Sequence, residues 1–195
     1  MRVVVGSAQR PVASETVCGD QHVIAPRGQG VLLCLADGLG HGPAAYVASA
    51  AACEHARAHA DEPLEALIRG MNAALVGTRG AAISLVVVEP ELGRVCFVGV
   101  GNVELRTVSR ANIAPPTTPG IVGQGLRKVR VWEYGLAEGD LLVLMSDGIS
   151  TRFGLETFAH LQPQALAEAL LAAHHKSHDD ACCVVARVVA GGGSA

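Results

Sequence analysis

The stretch Ile83–Val100, ISLVVVEPELGRVCFVGV, decides the fold. Two apolar runs, ISLVVVE and RVCFVGV, flank the four residues PELG, which is a hairpin signal. An antiparallel hairpin in mid-chain excludes strict β/α alternation and with it a doubly wound parallel sheet. Upstream, Pro43 stands at a helix start, where its missing N–H costs nothing, and an Ala-rich helix is predicted over Ala44–Ala60. Pro63 opens a second helix, with Leu64, Leu67, Ile68, Met71 and Leu75 at three- and four-residue spacing. Earlier still, Val3–Val5 begins a strand, a second lies around His22–Ala25, and Val31–Ala36 is apolar enough for a central one.

Downstream of the hairpin, Asn102–Val108 and Val129–Tyr134 read as strands on either side of a Pro-, Thr- and Gly-rich loop, Ala111–Gly125. Leu141–Met145 forms another strand, a helix follows Pro163, and Ala181–Val189 closes the chain as a strand. No internal repeat is visible. The order is strands, two helices, hairpin strands, one helix and a last strand. It predicts an α+β fold: a four-layer α/β/β/α sandwich of two mostly antiparallel sheets flanked by helices. A single antiparallel sheet covered by helices is the fallback. Residues 1–190 fit one domain, since domains commonly run to roughly 100–200 residues, and 191–195 read as a flexible tail.

Composition narrows the function. Half of the 195 residues are hydrophobic but only 3% are aromatic, so Ala, Val, Leu and Gly must build the core. A formal charge of −3 with no Lys/Arg run leaves no footprint for nucleic acid. The start, MRVVVGSAQ, turns polar too soon for a secretory segment. The longest helical apolar stretch carries Glu54, His55, Arg57 and His59, so it reads as a packed helix and not a membrane span. The six cysteines (18, 34, 53, 96, 182 and 183) show no C-x-x-C pair and read as reduced core residues of a cytoplasmic protein.

Aspartates carry the chemistry. Asp37-Gly38 closes VLLCLA, Asp147-Gly148 closes LLVLMS, Asp20 follows Gly19, and Asp179-Asp180 opens the last strand. One Asp-Gly pair is also a favoured turn dipeptide. Two of them, each closing a buried run, point further. Carboxylates gathered without a cation repel one another until one protonates. A hard divalent ion removes that penalty, and Gly38 presents its carbonyl with no side chain in the way.

Taken as a set, these motifs resemble the metal-dependent PPM-type Ser/Thr protein phosphatases. ADGLGHGPAA (Ala36–Ala45) is similar to their second motif in the form used by the bacterial sporulation stage II E branch. EGDLLVLMSDGIS (Glu138–Ser150) and HDDACCVVARV (His178–Val188) resemble that branch's last two motifs, and CGDQHVI (Cys18–Ile24) its early Gly-Asp strand. The short length further resembles the RsbX group of stressosome feedback phosphatases. The resemblance runs from about residue 19 to 189.

It implies two Mn²⁺ or Mg²⁺ ions at one end of a β-sandwich. Asp37 would be shared by both ions. Asp147 and Asp179 would complete one site, Asp20 and the Gly38 carbonyl the other, with Asp180 as a partner behind them. The ions would ready a water for in-line attack on phosphorus. His41 is the candidate acid for the leaving oxygen, with water as the alternative, because in the animal enzymes the histidine directly follows the Asp-Gly pair. Expected partners are phosphorylated STAS-domain proteins of the RsbR and RsbS kind, acting in stress or sigma-factor signalling. Two rivals are a non-catalytic metal-binding module of the same fold and a hydrolase of small phosphoesters.

Other residues read more plainly. His174, His175 and His178 suit a helix end better than a zinc site. His55 and His59 lack the intervening glutamate of a metalloprotease and read as an exposed helix face. Asp140 reads as a turn residue, Gly99–Asn102 as a tight hairpin, and Arg10 and Arg152 as solvated arginines within reach of a phosphate.

Overall fold

The computed structural model describes residues 1–126 and 128–191. The expected tail at 192–195 lies outside the described residues. Among the described residues, nine strands form two sheets in which every ladder is antiparallel. One sheet has the order β1 (Arg2–Arg10), β9 (Ala181–Val189), β8 (Leu141–Met145), β6 (Glu104–Val108). The other runs β2 (Asp20–Arg27), β3 (Gly30–Gly38), β4 (Ala81–Glu89), β5 (Arg94–Val100), β7 (Trp132–Gly135). Helices α1 (Pro43–Ala58) and α2 (Leu64–Ala74) cover the five-stranded sheet, and α3 (Pro163–His174) covers the four-stranded one. The four-layer sandwich is therefore the architecture found.

Strand parity explains why the central runs are apolar throughout. Val31, Leu33 and Leu35 of β3 face the other sheet, where they join Leu142, Leu144 and Val184. Leu32, Cys34 and Ala36 face the helices, among Leu67, Ile68 and Met71. β8 repeats the division, with Leu141, Val143 and Met145 against Leu166 and Leu170 of α3. Both faces of these strands are buried, so alternation gives way to a continuous hydrophobic run.

The same parity positions the carboxylates. Asp37 continues the inter-sheet face of Leu33 and Leu35 at the end of β3. It lies directly across the ladder from Asp20, the first residue of β2. Next to them in space, Met145 at the end of β8 pairs with Cys183 near the start of β9, so Asp147 and Asp179 project from neighbouring strand ends. β1 also ends at this edge, with Arg10 opposite Ala181.

Three expectations need correction. Gly99–Asn102 is not a hairpin. β5 and β6 belong to different sheets, and Gly101, at φ +92°, turns the chain from one to the other. The strand expected at Val129–Tyr134 is shorter, Trp132–Gly135. Its partner edge on β5 is already taken beyond Phe97, because Thr118 exchanges hydrogen bonds with Gly99 and Gly101 of the chain there. His55 is not on an open face: its Nε2 is buried near Gly70 of α2, and its ring stacks on His59 at 4.3 Å. A 3₁₀ turn at Leu155–Phe158 was not foreseen.

All six cysteines are free thiols. Among the described residues, no helix is long and apolar enough to cross a membrane.

Candidate metal centre

The carboxylates gather at one end of the sandwich with a gradient of exposure. Asp20 is buried, Asp37 and Asp179 are half-buried, and Asp147 is exposed. They stand as two adjoining pairs, Asp20 with Asp37 and Asp147 with Asp179. Among the described residues, no three carboxylates, imidazoles or thiols close around one point as a finished cage. The electrostatics show how near they are. Burial first, then the Asp147, Asp179 and Asp180 charges, push Asp37 up to about 7. Burial and the Asp37 charge hold Asp20 well above the usual carboxylate range. Asp179 is raised too, by burial first and Asp147 second.

Asp20 gives the test of fit. Its Oδ2 is buried and has no hydrogen-bond partner. An unsatisfied buried acceptor is costly, and here it faces further carboxylates. A hard cation is the group whose charge and oxygen preference answer both problems. The residues present fit Mg²⁺ or Mn²⁺.

Surrounding contacts fix these side chains. Asp180 Oδ1 accepts from the Val12 N–H and Oδ2 from the Gly19 N–H, both at 2.9 Å. Both oxygens are thus spent on backbone donors, tying the β1–β2 connection to the start of β9 and setting the position of Asp20. Ser146 Oγ accepts from the Cys182 N–H at 2.9 Å and locks the ends of β8 and β9 together. Gly38 is small for a packing reason, since a Cβ there would run into the Ala45 carbonyl of α1. Gly148 meets the same limit at the Asp180 carbonyl.

His41 lies on the Gly40–Gly42 loop that leads into α1. It is largely exposed, and its Nδ1 is 2.8 Å from Glu15 Oε1. That carboxylate orients the ring.

Two residues at this end carry no motif signal. Asn102 donates from Nδ2 to Asp147 Oδ2 at 2.7 Å. Lys176 bonds the Asp147 carbonyl with Nζ, and its N–H reaches the Gly148 carbonyl at 2.7 Å. Asn102 was hidden because its glycines read as a hairpin; the turn between sheets puts it beside Asp147. Beyond Asp147 a cleft of about 530 Å³ opens, lined by Asn102, Glu104, Ser150, Arg152, Lys176 and His178 among others. Among the described residues, the histidines at the end of α3 and beyond it form no metal cluster: His174 stacks on Phe153 at 4.4 Å, and His175 Nδ1 bonds the Leu171 carbonyl.

The model of the stage II sporulation protein E (SpoIIE) family matches residues 27–189. The chain belongs to the SpoIIE family. The family is one of metal-dependent phosphoprotein phosphatases of the PP2C type, and this member is RsbX-like. The phosphoserine phosphatase RsbX of Bacillus subtilis (strain 168) is 26% identical over 138 residues, which is 70% of this chain and 69% of that protein. A chain solved in work on the bacterial stressosome, described as a modular system adapted to control secondary messenger signalling, superimposes with a TM-score of 0.92. It is 29% identical, over 96% of this chain and 100% of that one. RsbX crystallised with magnesium shares the fold, with a TM-score of 0.85 at 22% identity over 95% and 94% of the two chains. In the SpoIIE frame, the early Gly-Asp strand at Cys18–Ile24 lies ahead of the matched residues, although its Asp20 pairs with Asp37 in space.

Proposed function

We propose that this chain hydrolyses phosphoserine or phosphothreonine on a regulatory STAS-domain protein, similar to RsbR or RsbS, in a cytoplasmic stress or sigma-factor pathway. The observation that carries the reading is the convergence of Asp20, Asp37, Asp147 and Asp179 from four strand ends, with one buried Asp20 oxygen lacking any partner. The comparison with stressosome phosphatases supports the choice of partner.

Asp37 would be shared between two Mn²⁺ or Mg²⁺ ions, with Asp147 and Asp179 on one and Asp20 and the Gly38 carbonyl on the other. When bound, the ions supply Lewis-acid charge at the phosphoryl group and make an attacking water more acidic. The chain's own side chains do the rest. Asp180 holds Asp20 in place through the Gly19 backbone. Asn102 engages one oxygen of Asp147 and leaves the other available. His41, oriented by Glu15, gives a proton to the departing serine or threonine oxygen. Residues 1–190 act as one catalytic domain.

A time course of phosphate release from phosphorylated STAS-domain proteins encoded beside the gene, run with Mn²⁺, Mg²⁺ and chelator, tests this reading. Metal-dependent release that stops with chelator is expected. Release from p-nitrophenyl phosphate but from no phosphoprotein would make the chain a small-ester hydrolase. Metal binding without any turnover would make it a regulatory module.

A further inference from the structure

Beyond Asp147 and the two residues that hold it, Asn102 and Lys176, the cleft is walled by parts that the metal centre does not need. Its outer wall is the loop Ser150–Phe153, which follows β8 and is largely exposed. Exposed loops are ordinarily loosely held, yet this one is fastened at several points. The Ser150 N–H bonds the His174 carbonyl at 2.8 Å. Arg106 reaches across from β6 to the carbonyls of Thr151 and Phe153, at 3.4 and 3.0 Å, with its guanidinium 4.6 Å from the centre of the Phe153 ring. Phe153 in turn stacks on His174. The wall is pre-formed, as binding clefts usually are, and its volume lies in the range of about 300–1,000 Å³ typical of ligand sites.

Two cations on that wall are left without a carboxylate to neutralise them. Arg152 and Lys176 have no carboxylate partner among the described residues, and His178 stands with them. Apart from Asp147, the cleft holds one carboxylate, Glu104. A segment with a carboxylate of its own would find Arg152 free to grip it through paired N–H donors, the strongest geometry for that contact.

We propose that this cleft binds the stretch of phosphoprotein flanking the phosphorylated residue and selects for acidic side chains there, with Arg152 as the specificity-determining group. The proposal rests on the phosphatase reading above: the phosphoryl group sits at the Asp147 end and its neighbours lie along the wall.

Three phosphoserine peptides of one length test it, with Glu, Ala or Lys on both sides of the phosphoserine. They are hydrolysed by the full chain in saturating Mn²⁺, with kcat and KM measured separately. The wild type should favour the Glu-flanked over the Ala-flanked peptide by about tenfold in kcat/KM, mostly through KM. Arg152→Glu should abolish that preference and move it toward the Lys-flanked peptide. Arg152→Gln should level the three. Equal hydrolysis of all three by the wild type, or an unchanged ratio in Arg152→Glu, would overturn the cleft's role and leave the phosphatase reading standing. Hydrolysis of none of the peptides, with p-nitrophenyl phosphate also untouched, would overturn both.

Discussion

Asp37 sits where the inter-sheet face of β3 meets solvent, and its environment penalises its charge from two sides. Burial removes water, and Asp147, Asp179 and Asp180 add like charge, so its carboxyl is pushed up to about 7 from 3.8. The folded state holds a proton on Asp37 that the unfolded chain releases near pH 4. Its contribution to stability is therefore present at low pH and lost as pH rises through about 7. In chelator, Asp37→Asn should unfold at a higher temperature than the wild type at pH 8. The gap should shrink towards pH 5 and reverse when Mn²⁺ is added. A domain of this size moves roughly 2–4 °C per kcal/mol, so differential scanning fluorimetry resolves the change. A gap independent of pH would mean that the carboxylate is not crowded. For His41 the test is the leaving group. His41→Ala should slow hydrolysis of a phosphoserine peptide by roughly 10²–10⁴-fold, and that of p-nitrophenyl phosphate far less, because nitrophenolate departs without a proton. Equal effects on both substrates would assign the acid to water.

Strand ends do the positioning, and their glycines set how close the neighbouring chain can come. Gly148 follows Asp147 at the turn after β8, and any Cβ there would overlap the Asp180 carbonyl before β9. Gly148→Ala should therefore part the ends of β8 and β9, destabilise by about 1–3 kcal/mol, and weaken Mn²⁺ binding measured by calorimetry. Gly135→Ala, at a residue with open space around it and ordinary backbone, is the matched control and should leave both unchanged. An intact Mn²⁺ affinity in Gly148→Ala would separate this turn from the centre. The same elements show what sequence can and cannot convey. β8 and β9 were legible to the residue because their apolar runs are bounded by turn residues. The start of β7 falls three residues later than its pattern suggests, since that limit is set by Thr118 occupying the β5 edge, a contact between segments far apart in the chain. The aspartates were legible because each closes or opens such a run. Asn102 and Lys176 were not, because nothing local distinguishes an amide or an amine that will meet Asp147 only after two sheets have stacked.

Stacking the sheets brings four acidic strand ends to one edge of the molecule, where the fold carries a strain that its apolar layers must offset. Asp20 and Asp37 belong to one sheet, Asp147 and Asp179 to the strands of the other, so repulsion among them works directly against the packing of the two layers. A cation between the pairs would turn that repulsion into a tie across the sandwich, and its binding energy would add to the stability of the whole fold. Ligand linkage gives about 2.7 kcal/mol at one hundred times the dissociation constant. At roughly 2–4 °C per kcal/mol, Mn²⁺ should raise the unfolding temperature of the wild type by roughly 5–10 °C, climbing with the logarithm of metal concentration and vanishing with chelator. Asp147→Ala removes one member of the outer pair without touching either core. It should fold, lose most of the Mn²⁺-dependent rise and lose turnover. A wild-type unfolding temperature that stays flat up to millimolar Mn²⁺ would show that the two sheets are not joined by metal at this edge.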